Sequence, residues 1–334
     1  MKRYLLLIVI LLASGAFGQD KPKLIGEIEF FGYSGIDQNK VRAALPFHEQ
    51  DTFSLETSAK KLEQVGEAVK QVTGQWPTDV ANVCCDAQGN WIIFIGLSGK
   101  TIRYNPPPTG ATTRLPEKII KLYERFIKVN LEGVQKGAYA EDDSKGYALA
   151  EYPPLRSIQL EMRAYAVNHE VLLRAVLANS SEDGQRIVAA ELLGYSQQSR
   201  SQIAALVKAS QDSNDTVRNN ATRALIVLAK SSTKIATEIP AAGFIELLLS
   251  GTWTDLNKVS NLLNFMTKSR DSEMLAGLRR REVLDRLIEI ARWRSHGEPA
   301  RYILGRIAGI DESRLEQLVK TGQVEVIINE LKGK

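Results

Sequence analysis

Leu24 to Phe31 alternates with a period of two, with Leu24, Ile28 and Phe30 on one side and Glu27 and Glu29 on the other. That alternation predicts a half-buried strand. Beyond Gly32-Tyr33-Ser34-Gly35, the apolar positions Val41, Ala44 and Leu45 mark a short helix that Pro46 ends. A second helix is expected from near Ser54, because Leu62, Val65, Val69 and Val72 recur at steps of three and four until Pro77. Val80 to Cys85 and the strongly apolar Trp91 to Leu97 flank Asp86-Ala87-Gln88-Gly89-Asn90 and read as a β-hairpin. In the second of these strands Trp91, Ile93, Ile95 and Leu97 share one face while Ile92 and Phe94 share the other. Both faces therefore require cover, and the second is expected to pack on the rest of the chain in preference to a partner.

After residue 104 the pattern changes. Asn105 to Thr113, NPPPTGATT, predicts an extended, stiff spacer and marks a boundary at 105–114. Leu115 to Val134 has helical spacing, with Ile119, Leu122, Tyr123, Phe126 and Ile127 turned inward. Lys136 to Pro154 is a polar stretch that reads equally as a binding loop or a disordered insertion. From Leu155 the chain is helix after helix. The clearest is Asp215 to Lys230, where Val217, Ala221, Ala224, Leu225 and Leu228 form one apolar stripe behind a capping Asp215.

An acid-x-x-base opening recurs along this half: Asp183 with Arg186, Asp215 with Arg218, Asp255 with Lys258, and more loosely Glu298 with Arg301. The steps are 32, 40 and 43 positions, a spacing suited to helical hairpin repeats. With the small residues Ala189, Ala190, Ala221 and Ala224, these openings resemble the HEAT repeat family, including the HEAT-like units of phycobilin lyases. The resemblance implies a solenoid over 115–334, a concave face lined by the second helix of each pair, and an acid/base ladder tying neighbours together. Upstream, the order strand, helix, helix, strand, strand, with Phe30-Phe31-Gly32 and Val41 to Phe47, resembles the POTRA-type domain over 19–104. That resemblance implies contact with partners through a sheet edge or the groove beside the second helix. The expected fold class is thus an α+β domain of β-α-α-β-β order followed by an all-α solenoid.

Composition adds little, since 44% hydrophobic and 25% charged residues are ordinary for a globular protein. The first residues add more. Lys2 and Arg3 precede the apolar run Leu5 to Ala13, and Ala16-Phe17-Gly18 offers a small-x-small cleavage pattern. Residues 1–18 read as a signal peptide, so the mature chain is expected outside the cytoplasm, periplasmic or extracellular. Removing it reduces the formal +4 to about +2, too little charge to point to nucleic acid.

Candidate chemistry is sparse. His169-Glu170 begins like a zinc-protease motif, but Leu173 stands where the second histidine belongs. No zinc spacing, phosphate-binding loop or nucleophile elbow is present, and no cofactor is expected. Cys84 and Cys85 are the only cysteines. Adjacent strand residues point to opposite faces, which favours one buried and one partly exposed free thiol over a vicinal disulfide, which can act as a redox-sensitive switch, and over an intermolecular bridge or metal contact. Arg279, Arg280, Arg281, Arg286, Arg292 and Arg294 form a basic concentration, either paired with nearby acids on a solvated surface or open to an anionic partner. The reading that combines these features is an exported, non-catalytic adaptor that holds protein partners of unknown identity. Its alternatives are an enzyme with a site on the concave face and a peripheral envelope-surface binder using the arginine-rich end.

Overall fold

A computed structural model describes residues 24–332, apart from 34, 54, 98–101, 110–112 and 139. The expected signal peptide lies outside the described residues. The first unit runs β1 (Ile25–Phe31), α1 (Gln38–Ala44), α2 (Leu55–Thr73), β2 (Asp79–Cys84) and β3 (Trp91–Gly96), the order the sequence pattern requires. β3 lies in the middle, parallel to β1 and antiparallel to β2. Its two apolar faces explain that position. Ile93 and Ile95 pack with Ile28, Phe30, Val41, Leu62, Val65 and Val69 beneath α1 and α2, whereas Ile92 and Phe94 join the core of the helical half. The β2–β3 turn is held by the Asp86 carboxylate, which accepts from the Gln88 and Asn90 amides at 2.9 and 2.8 Å, with Gly89 in the left-handed region.

The helical half begins with α3 (Glu117–Gln135), a small hairpin of β4 (Glu141–Asp142) and β5 (Leu149–Ala150), and α4 (Pro153–Asn168). There follow α5 (Glu170–Asn179), α6 (Asp183–Leu193), α7 (Arg200–Ala209), α8 (Asp215–Ser231), α9 (Thr233–Glu238), α10 (Ala242–Leu247) and α11 (Trp253–Met266). The chain closes with α12 (Ser272–Leu278), α13 (Arg281–Ala291), α14 (Glu298–Ile307), α15 (Glu312–Lys320) and α16 (Val324–Lys332). Helices α6, α8, α11, α14 and α16 stack side by side as one layer, and α5, α7, α10 and α13 pack on α6, α8, α11 and α14 in turn. This is a helical repeat solenoid, in which each hairpin buries its apolar stripe against the next.

Two features differ from expectation. The polar stretch before α4 is not a disordered insertion: Arg223 grips Glu141 at 2.6 Å and Lys230 reaches Asp143 at 2.7 Å, folding its short hairpin onto α8. The proline-rich segment is no free spacer where it begins. Asn105 donates to the Gln211 carbonyl at 2.7 Å, and Tyr104 is inserted against α8 and α11. The inner layer is consequently covered. No residue of α8 before Lys230 is exposed, and none of α11 is. An open solenoid would leave a polar stripe on both helices. Here α3, the hairpin, Tyr104 and the sheet face carrying Phe94 occupy that side.

Candidate functional site

The repeated acid/base positions form a buried network that keeps the Asp183–Arg186 pair and departs from the pairing read along the later helices. Arg186 is fully buried and donates to both Asp212 oxygens at 2.9 Å, to Asp183 at 2.8 Å and to the Ser180 carbonyl at 3.0 Å. Arg218 reaches forward to Asp255 at 2.9 and 3.1 Å while donating to the carbonyls of Asp212 and Ser213. The Tyr104 ring stacks on the Arg218 guanidinium at 3.8 Å, and its hydroxyl donates to Asp255 at 2.7 Å. Burial, then the charge of Asp255, pushes that phenol up to about 12. Each arginine thus joins its own helix to an acid at or just before the start of the neighbouring helix of the layer.

Asp215 takes neither expected role. Asn214 is the cap, its side chain accepting from the Thr216 and Val217 amides at 3.0 and 3.1 Å, and Arg218 turns to Asp255. Replacing Asn214 with alanine is expected to cost about 1 kcal/mol, and Asp215→Ala distinctly less, in urea denaturation. Equal effects would return the cap to Asp215.

The third and fourth openings also diverge. Asp255 is the third residue of α11, whereas Asp215 is the first of α8. Asp255 accepts from Arg218 of α8, and no ion pair joins it to Lys258 among the described residues. Arg301 donates to the carbonyls of Ala291 and Trp293 at 2.9 and 2.7 Å, closing the end of α13 in place of a bond to Glu298.

The arginine concentration is largely consumed inside the chain. Arg286 is buried and binds Glu289 and the Ser250 carbonyl, each at 2.9 Å. Arg294 spans to Glu29 and Glu49 of the first unit, Arg292 pairs with Glu325, Arg280 with Glu246, and Arg279 donates to the Ile307 carbonyl. Arg281 alone of the six is almost fully solvated, 4.0 Å from Asp285. The reason is topological: α13 and the turn after it form the seam with the sheet, so their charges are spent there.

That seam seals one edge of the sheet. Along β1, Glu49 accepts from the Ile28 amide at 3.0 Å, Arg42 donates to the Ile28 carbonyl at 2.8 Å, the Trp293 indole donates to the Phe30 carbonyl at 3.0 Å, and Glu289 accepts from the Gly32 amide at 2.8 Å. Trp253 and Trp293 close on Phe94 at 5.2 and 4.8 Å between ring centroids. The Trp253 amide donates to Asp79 at 2.8 Å, and burial raises that carboxyl to about 6. β2 is the terminal strand at the opposite edge.

At the end of β2, Cys84 and Cys85 are joined to each other, the peptide between them is cis, and Cys84 is exposed. The expectation of free thiols on opposite faces fails because the strand stops at Cys84, so strand alternation does not extend to Cys85.

On the inner face, burial raises the carboxyl of Glu191, with Tyr195 and Arg223 nearby. The cavity they line with Asn220 measures about 10 Å³, the space of one water. A shifted carboxyl in a site of that size fits a buried charge network and leaves no room for a substrate. His169 stacks on Tyr165 at 4.1 Å, and among the described residues no group of three or more His, Cys, Asp and Glu side chains could hold a metal. No described helix is long and apolar enough to cross a membrane.

The residues that organise these surfaces but escaped the pattern are Asp212, Tyr104, Glu289, Trp253 and Trp293. Asp212 had a local signal, an acid two residues before the Asn214 cap, and Glu289 another, three positions from Arg286; Tyr104, Trp253 and Trp293 act on elements far away in the chain.

No family model matches this chain, and no curated protein matches it. Among solved structures it is similar to a designed armadillo repeat protein, with a TM-score of 0.37 and 14% identity, over 55% of this chain and 88% of the other.

Proposed function

We propose that this chain is an exported, non-catalytic scaffold of the cell envelope that binds a protein partner, and that the outer edge of β2 is where the partner docks. The observation that carries this is the asymmetry of the sheet. β1 has its outer groups taken by Glu49, Arg42, Trp293 and Glu289, while among the described residues β2 ends the sheet with no strand beyond it. A terminal strand can accept an extended segment through backbone bonds, with alternate side chains giving selectivity. The covered inner face offers less, since α8 and α11 already meet α3, the hairpin and the sheet. The solenoid then serves as the rigid body that fixes the sheet.

Asn82→Pro is the direct test. Asn82 shares strand parity with Val80, whose amide is bound by its own Asp79 side chain and so points away from β3. Proline there removes an edge donor. Crosslinking capture from a cell-envelope extract with the mature chain is expected to recover a partner, and Asn82→Pro to lose it at an unchanged melting temperature. Undiminished capture by a folded Asn82→Pro protein rules out the β2 edge.

A further inference from the structure

β2 and β3 pair antiparallel, residue against residue, from Asp79 with Gly96 through Cys84 with Trp91. Continued in that register, Cys85 would face Asn90. Asp86 faces it instead: the Asn90 carbonyl accepts from the Asp86 amide at 3.0 Å, and the Asn90 amide donates to the Asp86 carboxylate at 2.8 Å. Between these two pairs β2 carries one residue more than β3, which is the arrangement of a β-bulge. The extra residue is Cys85.

The bond between the two sulfurs accounts for its place. A regular strand turns successive side chains to opposite faces, so two neighbours joined to each other cannot both hold ladder positions. Parting the sulfurs removes that obstacle, and Cys85 can then take the position facing Asn90. The pair is open to reagents, since Cys84 is exposed and Cys85 partly so, and the chain has no third cysteine for either to exchange with. Its location matters as well. The Trp91 amide turns to the β1 side, donating to the Leu24 carbonyl at 2.8 Å, so the backbone groups of its partner Cys84 lie on the outer edge of β2. Bulges blunt an edge by twisting it away from an added strand.

We propose that Cys84 and Cys85 are a redox switch that locks this bulge. In the disulfide form the ladder slips at Cys85 and the outer edge of β2 is blunted at its end; in the dithiol form the strand runs on through Cys85 in regular register. The change needs an external thiol reductant. Two sulfurs of the reductant join as a disulfide, the Cys84–Cys85 bond takes up their two electrons and breaks, and two protons end on the cysteine sulfurs. The effect on an added partner strand rests on the β2-edge reading, whereas the change in the ladder belongs to the chain alone.

The test compares the full chain with and without dithiothreitol, counting thiols by alkylation and mass spectrometry and following residues 79–91 by NMR. No labelled cysteine is expected before reduction and two after it, without denaturant. On reduction the Asp86 amide, losing the Asn90 carbonyl, should exchange with solvent faster by about fivefold, the worth of one backbone hydrogen bond. Cross-strand contacts between Cys85 and Asn90 should appear at the same time. The double variant Cys84→Ser, Cys85→Ser should show the reduced pattern in both conditions. Labelling before reduction, no labelling after it, or an unchanged ladder in the reduced chain overturns the proposal, as does a double variant that keeps the oxidised pattern. No partner enters these readouts, so their failure is distinct from undiminished capture by Asn82→Pro.

Discussion

Arg218→Ala is expected to destabilise the protein by about 3–5 kcal/mol, the cost of breaking a buried ion pair from one side. The side chains of Arg218 and Asp255 are each 3% exposed, so the carboxylate left behind stays buried. It would keep the Tyr104 hydroxyl at 2.7 Å and the Ser250 hydroxyl at 2.8 Å but lose its only bidentate cation. The carbonyls of Asp212 and Ser213 would lose a donor as well, and the Tyr104 ring the planar group beneath it. Arg218→Lys should recover only part of this loss, because an ammonium cannot fork to both oxygens or stack on the ring. Urea denaturation provides the check. A loss below about 1 kcal/mol for the alanine variant, the worth of an exposed pair, would mean that this network contributes little to joining α8 to α11.

Trp293→Ala carries the second large effect, about 3–5 kcal/mol for removing a fully buried aromatic side chain. Trp293 is 1% exposed and fills the space between α13 and the sheet, edge-on to Phe94 at 4.8 Å and to Phe31 at 6.2 Å. Its indole also satisfies the Phe30 carbonyl on the β1 edge. The damage should be local to the seam, since Trp293 meets the core beneath α1 and α2 only through the Phe30 carbonyl and its side chain belongs to the core of the helical half. Calorimetry should therefore show the sheet unit melting ahead of the helices, and hydrogen exchange should show early loss of protection at the Gly32 amide. One coincident transition at the original temperature would contradict the role assigned to Trp293.

Much of the fold could be read along the chain because it depends on periods that each element carries within itself. Val217, Ala221, Ala224, Leu225 and Leu228 mark α8 by spacing alone, and the double-sided apolar pattern of Ile92 to Ile95 correctly requires cover on both faces of β3. Asp183, Asp215 and Asp255 mark three helix starts to within two residues. Local spacing gave the Asp183–Arg186 pair but not the side chains that Asp215 and Asp255 meet. Arg218 ignores Asp215, three positions away, for Asp255, thirty-seven positions on, because the next helix brings a better-desolvated acceptor. The arginine concentration is similar: a run of charges reads as a surface until the turn after α13 is seen to lie against β1.

By itself, then, the sequence determined the elements, their order, the change from a small α+β unit to stacked helical hairpins, and the stripes that hold each hairpin to the next. These follow from hydrophobic periodicity, which acts over a few residues. Only the tertiary structure decided that the sheet docks on the inner layer, that Tyr104, α3 and the hairpin close the concave side, and that one sheet edge is sealed. Those outcomes turn on the relative height and rotation of elements far apart in the chain. Arg218 meets Asp255 across thirty-seven positions because α11 lies beside α8, and no local pattern records it.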